Sequence, residues 1–193
     1  MSESDLKVVL LADIAIFYET SEGHTAEIAN RMKGFLENKG LSVSVQRCRE
    51  ADTAAISAAK VVIIGGSVHA GSHQKQMMSF IKSNSAILTQ KPGAFFSVNL
   101  YSRSEKDERK AEVQGYLDAP EKETDWKPSI KRTFPGALPY TKYNFVIRWM
   151  MKWISSGEGG DTDTSRDFVY TDWAEVETFC SEVADLESST NLL

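Results

Sequence analysis

Cysteine is scarce in this chain. Its two thiols, Cys48 and Cys180 among 193 residues, lie far apart and form no CxxC pair or metal-binding spacing, so they read as reduced structural thiols in a reducing compartment. No apolar run approaches the roughly 20 residues that a membrane-spanning helix needs. The first residues do not make a signal peptide: Glu3 and Asp5 stand where a basic region should be, and Asp13 interrupts the apolar stretch at 8–18. GxGxxG is missing, as is GxxxxGK followed by Ser or Thr, which removes the familiar dinucleotide and nucleoside-triphosphate loops. Charge of one sign is in no large excess. Twenty-two Lys and Arg against 27 Asp and Glu leave −5, no footprint for nucleic acid.

What remains is ordinary globular material, 41% hydrophobic and 25% charged, of a length that one core can hold. Short apolar or alternating runs at 14–18, 41–47, 61–64, 94–100 and 129–134 read as five strands. Helical spacing falls between and after them, at 24–39, 51–59, 74–88, 105–117 and 172–186. The last opens with Asp172 three residues before Glu175, a capping arrangement. Strands alternating with helices imply an α/β, doubly wound, five-stranded parallel sheet in the order 2-1-3-4-5. In such a sheet ligands sit beyond the carboxyl ends of the strands, where the strand order reverses.

Three loops lie there. The first holds Thr20, Ser21, Glu22, Gly23, His24 and Thr25 at a helix start. Its hydroxyls, amides and glycine make an anion cradle, and without a lysine it suits the single phosphate of FMN better than a triphosphate. The bland alternative is a Ser/Thr helix cap. The second, Gly65 and Gly66 followed by Ser67, Val68, His69, Ala70 and Gly71, brings amides toward a flat ring, or is simply a turn. His69 and His73, four apart, lack a carboxylate or third ligand, so no metal is expected. The third carries Ser97, Val98, Asn99, Leu100 and Tyr101, with Asn99 able to bond a flavin edge and Tyr101 able to stack on it or to stand as a surface aromatic.

Residues 139–155 form an unusual segment. On a helical wheel Asn144, Arg148 and Lys152 make one narrow polar stripe, and most of the remaining circumference is apolar, with Trp149 and Trp153. It is too short to span a bilayer. It reads either as a helix buried against the body or as one that meets a membrane surface or a flat hydrophobic substrate. The acidic stretch 155–165 behind it reads as a hinge or lid. Its Asp161 and Asp163 lack the spacing of a calcium loop.

Several blocks together resemble the flavodoxin-like, quinone-dependent protoporphyrinogen oxidases: Thr20-x-x-Gly23-x-Thr25, Gly65 through Gly71, AFFSVNL at 94–100, Trp126 with Pro128, Gly136-Ala137-Leu138, and GGDTDTSRDFVYTDW at 159–173. The resemblance covers about 13 to 187. It implies a single flavodoxin-like domain over 13–187, with a helix-and-loop insert at 139–165 near the fifth strand, an extension at 1–12 and a tail at 188–193. It also implies FMN as cofactor, oxidation of protoporphyrinogen IX in haem biosynthesis, and a membrane quinone (menaquinone or ubiquinone) as acceptor. The place would be the cytoplasmic face of the inner membrane, peripherally bound, or the cytoplasm. Carried over by position, Thr20 to Thr25 would hold the phosphate. Ser67 to Gly71, with Phe95 and Ser97 to Tyr101, would border the isoalloxazine. Tyr143, Arg148, Trp149, Lys152 and Trp153 would serve substrate, quinone or membrane. His24 and the loop at His69 depart from that pattern. An electron-carrier flavodoxin is the first rival, though such carriers are more acidic. An NAD(P)H:quinone reductase is the second, and a protein that has lost its flavin the third.

Overall fold

A strand buried on one face alternates polar with apolar residues, whereas one buried on both faces does not. The runs at 14–17 and 61–64 are apolar throughout, and in the computed structural model, which describes residues 12–157 and 160–190, they form the centre of a parallel sheet. The elements are β1 (Ile14–Glu19), α1 (His24–Asn38), β2 (Val43–Arg47), α2 (Ala54–Ala58), β3 (Val61–His69), β4 (Ser72–His73), α3 (Lys75–Ser83), α4 (Ser85–Leu88), β5 (Gly93–Asn99) and α5 (Asp107–Glu123). They continue with β6 (Ile130–Pro135), β7 (Ala137–Leu138), α6 (Phe145–Gly157), β8 (Phe168–Val169) and α7 (Trp173–Thr190). The main sheet runs β2-β1-β3-β5-β6, with β4 attached to β3. Counted over its parallel strands this is the expected 2-1-3-4-5 order. The extension at 1–11, Glu158 and Gly159 of the acidic loop, and 191–193 of the tail lie outside the described residues.

Alternate side chains go to opposite faces. Ile14, Ile16, Val61, Ile63, Ala94 and Phe96 meet Ile28, Met32 and Leu36 of α1 and Val176, Phe179 and Val183 of α7. Ala15, Phe17, Val62, Ile64 and Phe95 meet Met77, Phe80, Ile81 and Trp126. Each large side chain taken fully out of water contributes about 1.5–3 kcal/mol, so these two layers hold the strands in register. Cys180 is buried in the first layer and Cys48 in the second. Both are free thiols, pushed up to about 12 by burial, which keeps them protonated and inert.

The structure departs from the pattern in several places. The third strand does not stop at Gly65 and Gly66 but runs to His69, where Ala70 (φ 49°) and Gly71 (φ 80°) turn it into β4. Two positive φ angles make the tight hairpin turn that matches strand twist. The strand can pass Gly65 because a side chain there would run into the Phe96 ring, and glycine has none. His69 and His73 therefore sit on opposite arms of a hairpin and not on one helical turn. The helix expected at 74–88 is two, parted at Asn84, whose Nδ2 donates to the Phe80 carbonyl at 2.8 Å. The one expected to end at 117 continues through Pro120 to Glu123. Proline supplies no amide for the Tyr116 carbonyl, and His73 Nε2 lies 3.1 Å from that oxygen instead. The helix at 51–59 shrinks to α2, and α7 extends beyond 186 to Thr190.

Gly65→Ala is predicted to destabilise the protein by about 1–3 kcal/mol, the usual cost of overpacking, read as a lower urea midpoint with unchanged slope.

Candidate functional site

All parallel strands end at one edge of the sheet, and the loops gathered there enclose a cleft of about 550 Å³. It is lined by Thr20, Ser21, Glu22, His24 and Thr25 from the β1–α1 loop, Ser67, Val68 and His69 from β3, and Val98, Asn99 and Leu100 from β5. Gly136, Ala137, Tyr143 and Met151 complete it.

The first loop is built for an anion. Gly23 caps α1 at φ 96°, and its carbonyl takes the Ala26 and Glu27 amides. Thr20 Oγ1 accepts the Gly23 amide at 3.0 Å, which folds the loop back and leaves the Thr20 hydroxyl proton free to donate. The first amides of a helix have no intrahelical partner, and that end carries partial positive charge. Thr25 decides the fit: it is 0% exposed, it lines the cleft, and its hydroxyl has no hydrogen-bond partner among the described residues. An unpaired buried hydroxyl costs about 1–3 kcal/mol, a cost that a phosphate oxygen in the cradle would remove.

Residues outside the cradle hold it. Glu19, last in β1, is 0% exposed, with its carboxylate bonded by Arg47 Nη2 at 2.8 Å and Arg49 Nη2 at 2.6 Å. Arg47 Nη2 also donates to the Thr20 carbonyl at 3.0 Å, and the Thr20 amide donates to Glu19 Oε1 at 3.2 Å. Burial raises the Glu19 pKa, but Arg49 and Arg47 outweigh it and hold the group below the usual glutamate range. Gln74 Nε2 bridges the Ser67 hydroxyl and, at 3.3 Å, that of Ser21, tying the β1 and β3 loops together. His24 Nε2 meets Thr171 Oγ1 at 2.7 Å and Nδ1 meets Glu27 Oε2 at 3.1 Å. Burial lowers the His24 pKa, partly opposed by Glu27.

The insert closes over this loop. Tyr143 Oη donates to Glu22 Oε2 at 2.9 Å, and burial with that carboxylate pushes its phenol pKa well up. Arg148 is spent on the backbone, donating from Nε to the Tyr140 carbonyl and from Nη2 to the Tyr143 carbonyl, both at 2.9 Å. It thus fixes the turn before α6. Lys152 and Trp153 point away from the cleft, as does Trp149; the two indole residues are 72% and 66% exposed. The helix is not buried against the body: Phe145 and Val146 also face out, while Met151 and Ile154 are half-buried. The acidic loop behind it is tied down, its Asp161 carbonyl accepting from Tyr140 Oη at 2.8 Å and Ser155 Oγ at 2.7 Å. Among the described residues no helix is long and apolar enough to cross a membrane, and no three His, Cys, Asp or Glu cluster for a metal.

Other expected site residues fall elsewhere or, like Asn99 at the cleft wall, are already engaged. Phe95 turns into the second core layer, edge-on to Trp126 and His73. Ser97 is buried in the sheet, its carbonyl taking the Thr133 hydroxyl at 3.3 Å. Asn99 is committed at both ends, Nδ2 to Thr133 Oγ1 at 2.9 Å and Oδ1 to the Ser102 amide at 2.8 Å. Ala70, Gly71 and Tyr101 line a neighbouring cleft of about 820 Å³. Sequence reasoning assigned no site role to Glu19, Arg47, Arg49, Gln74, Gly136 and Met151. A lone glutamate closing an apolar strand was the available signal for the first.

These features define a class. A family model described as the flavodoxin domain matches residues 15–165, and the chain belongs to that family. Relatives of this chain bear the name protoporphyrinogen IX dehydrogenase (quinone), among them one bacterial and one from Leishmania. The Escherichia coli K12 protein is 31% identical over 177 residues, covering 92% of this chain and 97% of its own. The Leishmania major protein is 30% identical over 172 residues, covering 89% and 74%. The similarity places the chain among flavin oxidoreductases. Rubredoxin oxygen:oxidoreductase from Desulfovibrio gigas shares the fold, with a TM-score of 0.55 at 14% identity; the match covers 93% of this chain and 37% of that one.

Replacing Arg47 and Arg49 together by alanine strands the Glu19 carboxylate, which is predicted to cost about 3 kcal/mol at neutral pH. The pH dependence should reverse. In the native protein the lowered Glu19 pKa adds stability above about pH 4.3, lost as pH falls. In the double variant burial, the largest influence and now opposed chiefly by the Thr20 amide, raises that pKa, so stability recovers below about pH 4.3 and is lost as pH rises through the folded value. Urea unfolding across that range checks the sign.

Proposed function

We propose that this chain oxidises protoporphyrinogen IX to protoporphyrin IX with FMN, in haem biosynthesis, and delivers the electrons to a membrane quinone, menaquinone or ubiquinone. One observation carries the reading: helix α6 borders the flavin cleft through Met151 while presenting Phe145, Trp149 and Trp153 to the outside. A contiguous exposed apolar stripe of this kind marks a contact surface, and indole rings beside Lys152 suit a lipid interface. The site is peripheral, on the cytoplasmic face of the inner membrane, where an apolar quinone tail is at hand. The names of the two relatives support the same substrate and acceptor.

The residues divide the work. Thr20, Ser21 and Thr25 offer hydroxyls, and the start of α1 offers amides, to the phosphate. Glu19, Arg47 and Gln74 fix those groups in place beforehand, so little ordering is left to binding. Val68, Val98, Leu100 and Met151 supply the apolar wall against which a flat ring packs and from which water is excluded. When bound, FMN supplies a two-electron acceptor that the side chains themselves lack.

The test is to mix FMN-loaded protein anaerobically with protoporphyrinogen IX and then add a menaquinone analogue. Flavin bleaching with rising porphyrin fluorescence, reversed in colour by the quinone, is the expected result. A flavin bleached by NADPH and untouched by porphyrinogen would make the protein a quinone reductase. Reduction by neither donor would make it a carrier. Replacing Trp149 and Trp153 together by alanine is predicted to lower turnover with quinone in vesicles about tenfold while FMN stays bound, since both rings are already in solvent.

A further inference from the structure

Three clefts join into one trough. The flavin cleft shares Val68, His69, Asn99, Leu100 and Met151 with the 820 Å³ cleft, which in turn shares Leu100, Tyr101 and Ile154 with a third of about 490 Å³. The middle cleft is walled by Met150, Met151 and Ile154 of α6 on one side and by Tyr101 and Tyr116 on the other. It is apolar, wide enough for a large flat ligand, and opens directly onto the flavin cleft.

The far end carries one cation held ready. Arg103 lines the third cleft, and its guanidinium carbon stands 3.7 Å from the centroid of the Tyr170 ring. That ring is itself fixed: it stacks on Phe168 with an interplanar angle of 9°, and Tyr170 Oη donates to Asp161 Oδ2 at 2.8 Å. Stacking on an aromatic face orients a guanidinium while leaving the N–H groups at its rim available. Other arginines near the clefts are committed, Arg109 to Glu112 and Arg148 to two carbonyls. No carboxylate of the described residues pairs with Arg103.

We propose that Arg103 anchors a carboxylate of the substrate, so that the trough selects an apolar tetrapyrrole bearing acidic side chains over the uncharged quinone that must use the same flavin. The inference rests on the function proposed above and adds the residue that sets substrate class. A planar fork facing a carboxylate gives the paired, charge-assisted bonds that fix orientation as well as affinity. With the carboxylate held at Arg103, the macrocycle lies in the middle cleft, against Met150 and Tyr101 and toward the flavin cleft.

The test uses the product, which is stable in air. Protoporphyrin IX and its dimethyl ester are titrated into the FMN-loaded full chain, with porphyrin fluorescence as readout, for the native protein, Arg103→Gln and Arg103→Lys. The native protein should bind the acid about tenfold or more tightly than the ester. Arg103→Gln should lose that preference and Arg103→Lys keep part of it, and FMN affinity should be the same in all three, which verifies folding. A native preference that survives in Arg103→Gln overturns the proposal and leaves the wider function standing, as does equal native binding of acid and ester. If the native protein binds neither porphyrin, the function and the proposal fall together.

Discussion

Parallel strands cannot be joined by tight turns. Each must be followed by a crossover that returns the chain to the start of the next strand, so every carboxyl end opens on the same edge of the sheet. In this protein that constraint gathers the loops after β1, β3, β5 and β6 around one cleft. Where the order reverses, between β1 and β3, the crossovers leave on opposite faces and the edge is parted. The cleft is thus a consequence of the two apolar layers: disturb the packing of Phe96 against Gly65 and the loops lose their common base.

On that base the chain adds polar ties that are costly unless complete. Glu19 is a buried charge, tolerated because Arg47 and Arg49 both reach it. One of those arginines also holds the Thr20 carbonyl, so the ion pairs and the cradle are one unit. Tyr143 joins Glu22 from the other side, which links the insert to the same loop. Only Thr25 is left wanting a partner in the cradle. The preorganised groups and the unpaired Thr25 hydroxyl point the same way, to an anionic group that binds there.

The alternation of apolar runs with helical spacing made the sheet order legible, because a strand buried on both faces leaves a strong signal. The boundaries were less so. Gly65 and Gly66 read as the end of a strand when it passes on through them, beneath Phe96 at Gly65 and beside Met77 at Gly66, and Pro120 read as lying outside a helix when His73 compensates for its missing amide. Both cases depend on a side chain distant in sequence. The loop after β1 read as an anion cradle from its hydroxyls and glycine alone, and the structure brings Thr20, Ser21 and Thr25 to the cleft. The Glu19–Arg47–Arg49 group was not, since nothing local announces that β2 ends beside β1. For α6 the wheel showed an apolar helix but could not give which side the body would cover. Arg148, read as a ligand contact, proved to hold backbone carbonyls.

The central claim is that the loop after β1 receives the phosphate of FMN. Titration of FMN and riboflavin into the flavin-free protein tests it directly, because the two ligands differ in that group alone. Two or more charge-assisted bonds to the phosphate predict FMN binding at least about a hundredfold tighter. Equal affinity for both flavins would contradict the account.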